Sequence, residues 1–148
     1  MNVVMGFDVG TKRIGVAVGN GITGSAQALG IIYVNKHHQP DWPAIDAHIR
    51  QWRPQGLVVG LPLDLEGQSQ AMTETARRFA QQLHARAELP VHFQDERHTS
   101  QEAARRFKAA RAQGTRRRHD ANQLDAMAAV IIVENWLAQP GMQSPPSV

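Results

Sequence analysis

The chain has 148 residues, the size of one ordinary domain, and its apolar content of 42% is sufficient for a packed core. It contains no cysteine, which excludes a disulfide framework, a thiolate zinc site and a cysteine nucleophile. The first residues lack the regions of a signal peptide, and no stretch approaches the roughly 20 apolar residues of a membrane span. The composition therefore predicts a cytoplasmic protein with no membrane partner.

The basic residues are unevenly distributed along the chain. The net charge is only +3, but seven of the sixteen basic residues lie within fourteen positions: Arg105, Arg106, Lys108, Arg111, Arg116, Arg117 and Arg118. A solvated helix face that continues into a loop would explain such a run. The run contains no acidic residue, however, and its mutual repulsion favours an anionic ligand such as nucleic acid.

The first half of the chain predicts three strands followed by a helix and a fourth strand. Short apolar runs at 3–9, 14–18 and 29–34 are typical of strands, and their close spacing favours an antiparallel meander. Apolar residues at helical spacing predict a helix over 41–52. The continuous apolar run at 57–61 predicts a further strand, followed by a loop to residue 68.

The second half predicts three more helices and one more strand. Helix 69–87 leads to a short strand at 90–93, and capping boxes that start at Thr99 and Asp120 open two more helices, the last ending near Leu137. Residues 139–148 carry three prolines and predict a disordered tail. The order βββ-α-β-α-β-α-α predicts a single α/β domain over 1–138. Its mixed five-stranded sheet would be flanked by helices on both faces.

Three acidic residues are candidates for a metal site. Asp8 lies near the end of an apolar strand, where an unpaired charge costs several kcal/mol, although it could simply cap the following turn. Glu96 follows the last strand, and Asp95 competes with it for the same role. Asp125 lies in the last helix with small residues at i−4, i+3 and i+4, or it is only an acid stabilised by the helix N-terminus.

The three carboxylates are more informative together than singly. Sites in open α/β sheets lie at the carboxyl ends of strands, where Asp8 and Glu96 are both expected. Clustered carboxylates repel one another, and a hard dication such as Mg2+ relieves this repulsion. Two such ions could activate water and stabilise the leaving oxygen of a phosphodiester.

Four motifs give the chain a resemblance to a known family. They are FDVGTKRIGVA at 7–17, VGLPL at 59–63, DERHTS at 95–100 and LDAMAA at 124–129. Together they resemble the YqgF family of RNase H-like proteins, over about residues 3–137. The resemblance implies an RNase H-like fold, catalytic and metal-binding roles for Asp8, Glu96 and Asp125, and Mg2+ or Mn2+ as cofactor. It also favours Glu96 over Asp95. A serine often follows the last aspartate in this family, whereas this chain has Ala126 there.

The resemblance implies a nuclease acting in 5′-end processing of pre-16S ribosomal RNA. Two alternatives stay open: a Holliday junction resolvase acting on branched DNA, and a non-catalytic nucleic-acid-binding factor in ribosome assembly. Lys12 and Arg13 follow a strand and could contact a phosphate, or they could be exposed residues of a tight turn. The expected nucleic-acid contacts are thus Lys12, Arg13 and the basic run from Arg105 to Arg118.

Overall fold

The computed structural model describes residues 2–62, 70–96, 105 and 126–139. Its strands are β1 (Val3–Val9), β2 (Arg13–Asn20), β3 (Ser25–Tyr33), β4 (Gly56–Leu61) and β5 (Val91–Asp95). Its helices are α1 (Trp42–Trp52), α2 (Ala71–Ala87) and α3 (Met127–Ala138). Within these ranges, no helix is both long and apolar enough to cross a membrane.

The five strands form one mixed sheet in the order β3-β2-β1-β4-β5. The meander β1-β2-β3 is antiparallel, whereas β4 pairs parallel with β1, and β5 pairs parallel with β4. Parallel pairing requires a crossover, and helices α1 and α2 occur in the two connections. The predicted α/β class and the mixed five-stranded sheet are confirmed.

Each face of the sheet has its own apolar core. On the face that we call the α1–α2 face, Met5, Phe7 and Val9 of β1 pack in one cluster with Ile45 of α1 and Phe79 of α2. Side chains alternate between the faces of a strand, so neighbouring residues face the other way. On the second face, which we call the α3 face, Val4, Ala17 and Val58 of the sheet pack against α3. The buried residues that α3 contributes to this core include Ala129, Ile132, Val133 and Trp136.

Several boundaries differ from those predicted. β3 begins at Ser25 rather than at residue 29, because pairing with β2 extends through less apolar residues and a register shift. β5 continues to Asp95, two residues beyond the predicted end. α3 begins at Met127, after a turn at Ala126, whereas the sequence predicted a start at Asp120. Asp120 itself lies outside the described residues.

The predicted helix after Thr99 and the predicted tail lie almost wholly outside the described residues. Arg105 is the described residue of the first segment, and it is helical and exposed. Gln139 opens the predicted tail, and its side-chain amide donates to the Gln94 side-chain oxygen over 2.6 Å. The predicted domain boundary and the predicted disorder of the tail stay predictions.

Candidate active site

Strand alternation puts Asp8, Gly60 and Glu96 on the same face of the sheet. Asp8 lies four residues after Val4, and Gly60 lies two residues after Val58, and both of these valines pack in the core of the α3 face. Glu96 lies four residues after His92, whose ring contacts Trp136 of α3 at a centroid distance of 5.0 Å. Residues separated by an even number along a strand share a face, so all three positions belong to the α3 face.

Strand register brings these positions to one edge of the sheet. Phe7 of β1 is level with Val59 of β4, and Gly60 is level with Gln94 of β5. The pairing continues beyond β5, because the Glu96 backbone N–H donates to the Leu61 carbonyl over 3.2 Å. The carboxyl ends of three parallel strands therefore meet here, with Gly60 between the two carboxylates.

Gly60 leaves the space that the Glu96 side chain occupies. A Cβ atom built on Gly60 would lie 2.7 Å from Glu96 Oε2 and 2.5 Å from Ile132 Cδ1 of α3. Real Cβ atoms essentially never approach another atom this closely. Glu96 thus lies across β4 towards Asp8, and Ile132 packs beside it.

The carboxyl groups of Asp8 and Glu96 are hydrogen-bonded to each other, and both side chains are partly buried. Burial raises the pKa of Asp8, and the hydrogen bond from Glu96 opposes part of this rise. Burial also raises the pKa of Glu96, to about 8, with further contributions from the charge of Asp8, the hydrogen bond to it and the charge of Asp95. Two carboxyl groups that share a hydrogen bond must share a proton, because two carboxylates offer no donor.

This pair suits a divalent cation. It offers oxygen donors, which Mg2+ and Mn2+ prefer, and a dication could replace the shared proton and remove the repulsion between two carboxylates. Within the described part of the chain, no three acidic, histidine or cysteine side chains come together as a metal site. The third expected ligand, Asp125, lies outside the described residues.

The structure separates Glu96 from Asp95 on physical grounds. Asp95 is the last residue of β5, and alternation puts it on the opposite face from Asp8, with its side chain exposed. Glu96 is one residue further and returns to the α3 face. The sequence could distinguish the two only by resemblance, because the predicted strand ended at residue 93.

The expected nucleic-acid contacts are described only in part. Lys12 and Arg13 are exposed at the turn between β1 and β2, which is closed by a 2.8 Å hydrogen bond from the Gly10 N–H to the Arg13 carbonyl. This turn lies at the same edge as Asp8. Arg105 is exposed, and the other members of the basic run lie outside the described residues: Arg106, Lys108, Arg111, Arg116, Arg117 and Arg118.

A family model described as "RuvX: Holliday junction resolvase" matches residues 2–139. The chain belongs to the RuvX family. A protein of Xanthomonas axonopodis pv. citri is 53% identical over 137 residues, covering 93% of this chain and 88% of that protein. A protein of Xanthomonas campestris pv. campestris is 51% identical over the same length. Both carry the name "Putative pre-16S rRNA nuclease". The resemblance and the nuclease class predicted from the sequence are confirmed.

Two solved structures resemble the RuvX chain in fold. Thermus thermophilus RuvC aligns with a TM-score of 0.53 and 17% identity, covering 97% of this chain and 99% of that one. The structure described as "T. thermophilus RuvC in complex with Holliday junction substrate" aligns with a TM-score of 0.52 and 16% identity, covering 93% and 94%. At these identities the similarity shows a shared fold alone, and that fold is the RNase H-like one.

Proposed function

We propose that this RuvX protein is a cytoplasmic, metal-dependent nuclease that hydrolyses phosphodiester bonds in the 5′-end processing of precursor 16S ribosomal RNA. The observation that carries the proposal is the meeting of Asp8 and Glu96 across Gly60 at the carboxyl edge of the parallel strands. The Xanthomonas relatives, named for pre-16S rRNA, support this substrate over branched DNA.

Asp125 is proposed as the third ligand. It directly precedes Ala126, a fully buried residue at the start of α3. α3 packs on the face that carries Asp8 and Glu96, and its Ile132 lies beside Glu96 at Gly60. Asp125 is proposed because it comes one residue before this described stretch of α3 in the sequence.

Asp8, Glu96 and Asp125 would hold Mg2+ or Mn2+. A divalent ion at this position supplies a Lewis acid for a phosphodiester oxygen and lowers the pKa of a water molecule. The chain contributes the arrangement of the oxygen donors. Glu96 can lie towards Asp8 because Gly60 has no side chain, and Ile132 Cδ1 also lies close to Gly60. The exposed cations Lys12 and Arg13 lie at the same edge and would bind the phosphates of the strand.

The test is cleavage of end-labelled precursor 16S rRNA with Mg2+ or Mn2+. We expect Asp8→Asn and Glu96→Gln each to lower the cleavage rate by more than about 100-fold. Replacing a residue that only hydrogen-bonds to a metal ligand already lowers metal affinity or activity by about 10- to 100-fold. Asp95→Asn is the matched control. It removes the neighbouring acid on the opposite face and should retain cleavage.

Two outcomes would replace the proposal. If no divalent ion supports cleavage, yet the RNA binds with a steep salt dependence, the chain is a binding factor and not a nuclease. If a four-way DNA junction is cut and precursor rRNA is not, the resolvase assignment of the family model applies to this member.

A further inference from the structure

Tyr33 is an exposed aromatic residue on the active-site face. It is the single tyrosine of the chain, and 62% of its surface is exposed at the end of β3. Its neighbour Ile32 packs in the core of the α1–α2 face, so alternation turns Tyr33 to the α3 face. It therefore shares a face with Asp8 and Glu96.

Register gives the distance from Tyr33 to the carboxylates. Asp8 of β1 is level with Gly15 of β2, which is level with Ile31 of β3. Strands lie about 4.8 Å apart, and Tyr33 is two residues beyond Ile31, so the Cα atoms of Asp8 and Tyr33 are about 12 Å apart. A nucleic-acid strand with the duplex spacing of about 3.4 Å per nucleotide covers this distance in about four nucleotides.

A cavity of about 630 Å³ lies at Tyr33, which we call the Tyr33 cavity. Three cationic side chains line it: Lys12, Arg13 and Lys36. Among the described residues that line this cavity, none is acidic. Arg13 of β2 and Tyr33 of β3 are directly paired across the two strands, so a cationic residue and the aromatic residue are neighbours in the sheet. The cavity thus combines an aromatic surface with positive charge.

The backbone around the Tyr33 cavity is held by hydrogen bonds. The Tyr33 carbonyl accepts from the Asp41 N–H over 3.1 Å, and the Val34 N–H donates to the Lys12 carbonyl over 3.0 Å. The Asn35 side chain accepts from the N–H groups of His37 and Gln39, over 2.8 and 3.0 Å. These bonds fix the loop that carries Lys36, so the cavity is formed before any ligand arrives.

We propose that the Tyr33 cavity binds an unpaired nucleotide of the strand whose phosphodiester lies at Asp8 and Glu96. The base stacks on the Tyr33 ring, and the cations of the cavity contact flanking phosphates. An unpaired base is specified because stacking on a side chain requires a base that has left its own stack. The assignment rests on the proposed nuclease function, and it adds that the preferred substrate is single-stranded next to the cleavage point.

The test is equilibrium binding by fluorescence anisotropy, with Asp8→Asn as the parent so that no strand is cut. The probes are one labelled single-stranded RNA, the same strand paired with its complement, and the same strand as DNA. We expect Tyr33→Leu to weaken binding of the single strands about 5- to 150-fold, while Tyr33→Phe retains binding. Duplex binding should be unchanged. The single strand that binds with the higher affinity, RNA or DNA, identifies the kind of nucleic acid, since a base of either can stack on Tyr33.

Salt dependence separates stacking from charge. Lys36→Gln should lower the slope of log affinity against log salt by about 0.7, whereas Tyr33→Leu should leave that slope unchanged. The matched controls lie away from the cavity: Ile22→Ala removes an exposed apolar side chain, and Arg50→Gln removes an exposed cation. Neither should change binding.

The proposal is wrong if Tyr33→Leu binds the single strand as tightly as its parent, if Tyr33→Phe loses as much affinity as Tyr33→Leu, or if duplex binding weakens equally. Tyr33 is exposed, so these variants should keep the parent's melting temperature. A failed nuclease function has a different signature: no divalent ion would support cleavage of precursor rRNA by the wild-type protein, and the anisotropy results would stand.

Discussion

The substitution Gly60→Ala tests the geometry of the carboxylate pair. Gly60 has no positive φ, so alanine suits its backbone, and any loss arises from the new methyl group. That methyl group would lie 2.7 Å from Glu96 Oε2 and 2.5 Å from Ile132 Cδ1, so both neighbours must move by several tenths of an ångström. We expect a cost of about 1–3 kcal/mol in the free energy of unfolding, the usual cost of overpacking a core.

The second substitution, Ile132→Val, separates stability from activity. It deletes Cδ1, the α3 atom that the new methyl group would meet, and by itself costs about 0.5–1.5 kcal/mol. In the double variant the alanine methyl fills the space that Cδ1 leaves, so the melting temperature should return towards that of wild type. The contact with Glu96 persists, and a displacement approaching 1 Å at a catalytic group costs up to about 100-fold in rate.

Thermal denaturation and cleavage of precursor rRNA should be measured on all four proteins. The expected pattern is that Ile132→Val cleaves normally, while Gly60→Ala and the double variant both cleave about 10- to 100-fold more slowly. Recovery of full cleavage in the stable double variant would contradict this prediction. It would mean that Gly60 serves the packing of α3 and not the position of Glu96.

Two further predictions concern ionisation and buried polarity. Because the pKa of Glu96 is raised from 4.5 to about 8, the metal-free folded protein holds a proton that the unfolded chain releases. The protonated Glu96 side chain therefore makes its full contribution to stability below about pH 4.5, and this contribution is lost as the pH rises towards 8. Urea denaturation without metal should show that the free energy of unfolding falls from about pH 5 to 8, and that it falls less in Glu96→Gln. Mg2+ should restore more stability at about pH 8 than at pH 6. Identical pH profiles for the wild type and Glu96→Gln would contradict this. Burial lowers the pKa of His92, whose Nε2 has no hydrogen-bond partner within the described ranges. His92→Phe should therefore match or exceed wild-type stability at pH 7 and lose less below about pH 6.5; a melting temperature at pH 7 well below that of wild type would count against this.

The sequence predicted the sheet well because its strands are continuous apolar runs. The run at 3–9 and the run at 57–61 match β1 and β4 to within one residue. It predicted Asp8 for the same reason, since a carboxylate stands out in an apolar strand. The start of β3 was missed because cross-strand pairing, not apolarity, sets it.

The sequence marked Gly60 only as a member of the VGLPL motif, and it did not single out Tyr33. Gly60 has no functional group, and its role follows only from the Glu96 side chain that lies over it. Tyr33 is 25 residues from Asp8 in the sequence, and only the register of two strand pairs makes them neighbours. Residues that act by leaving space, or by alignment across strands, give no local sequence signal.

The close packing of α3 and the geometry of the carboxylates share one cause, the glycines of the α3 face. Added Cβ atoms at Gly6 and Gly19 would collide with Val133, as one at Gly60 would with Ile132. Three strands therefore lack side chains where the helix crosses them, so α3 lies nearer to the sheet than larger residues would allow. Its depth fixes both Ile132 beside Glu96 and the buried Ala126 at the helix start. A larger residue at Gly6 or Gly19 should thus disturb the site from a distance, by lifting the helix that borders it.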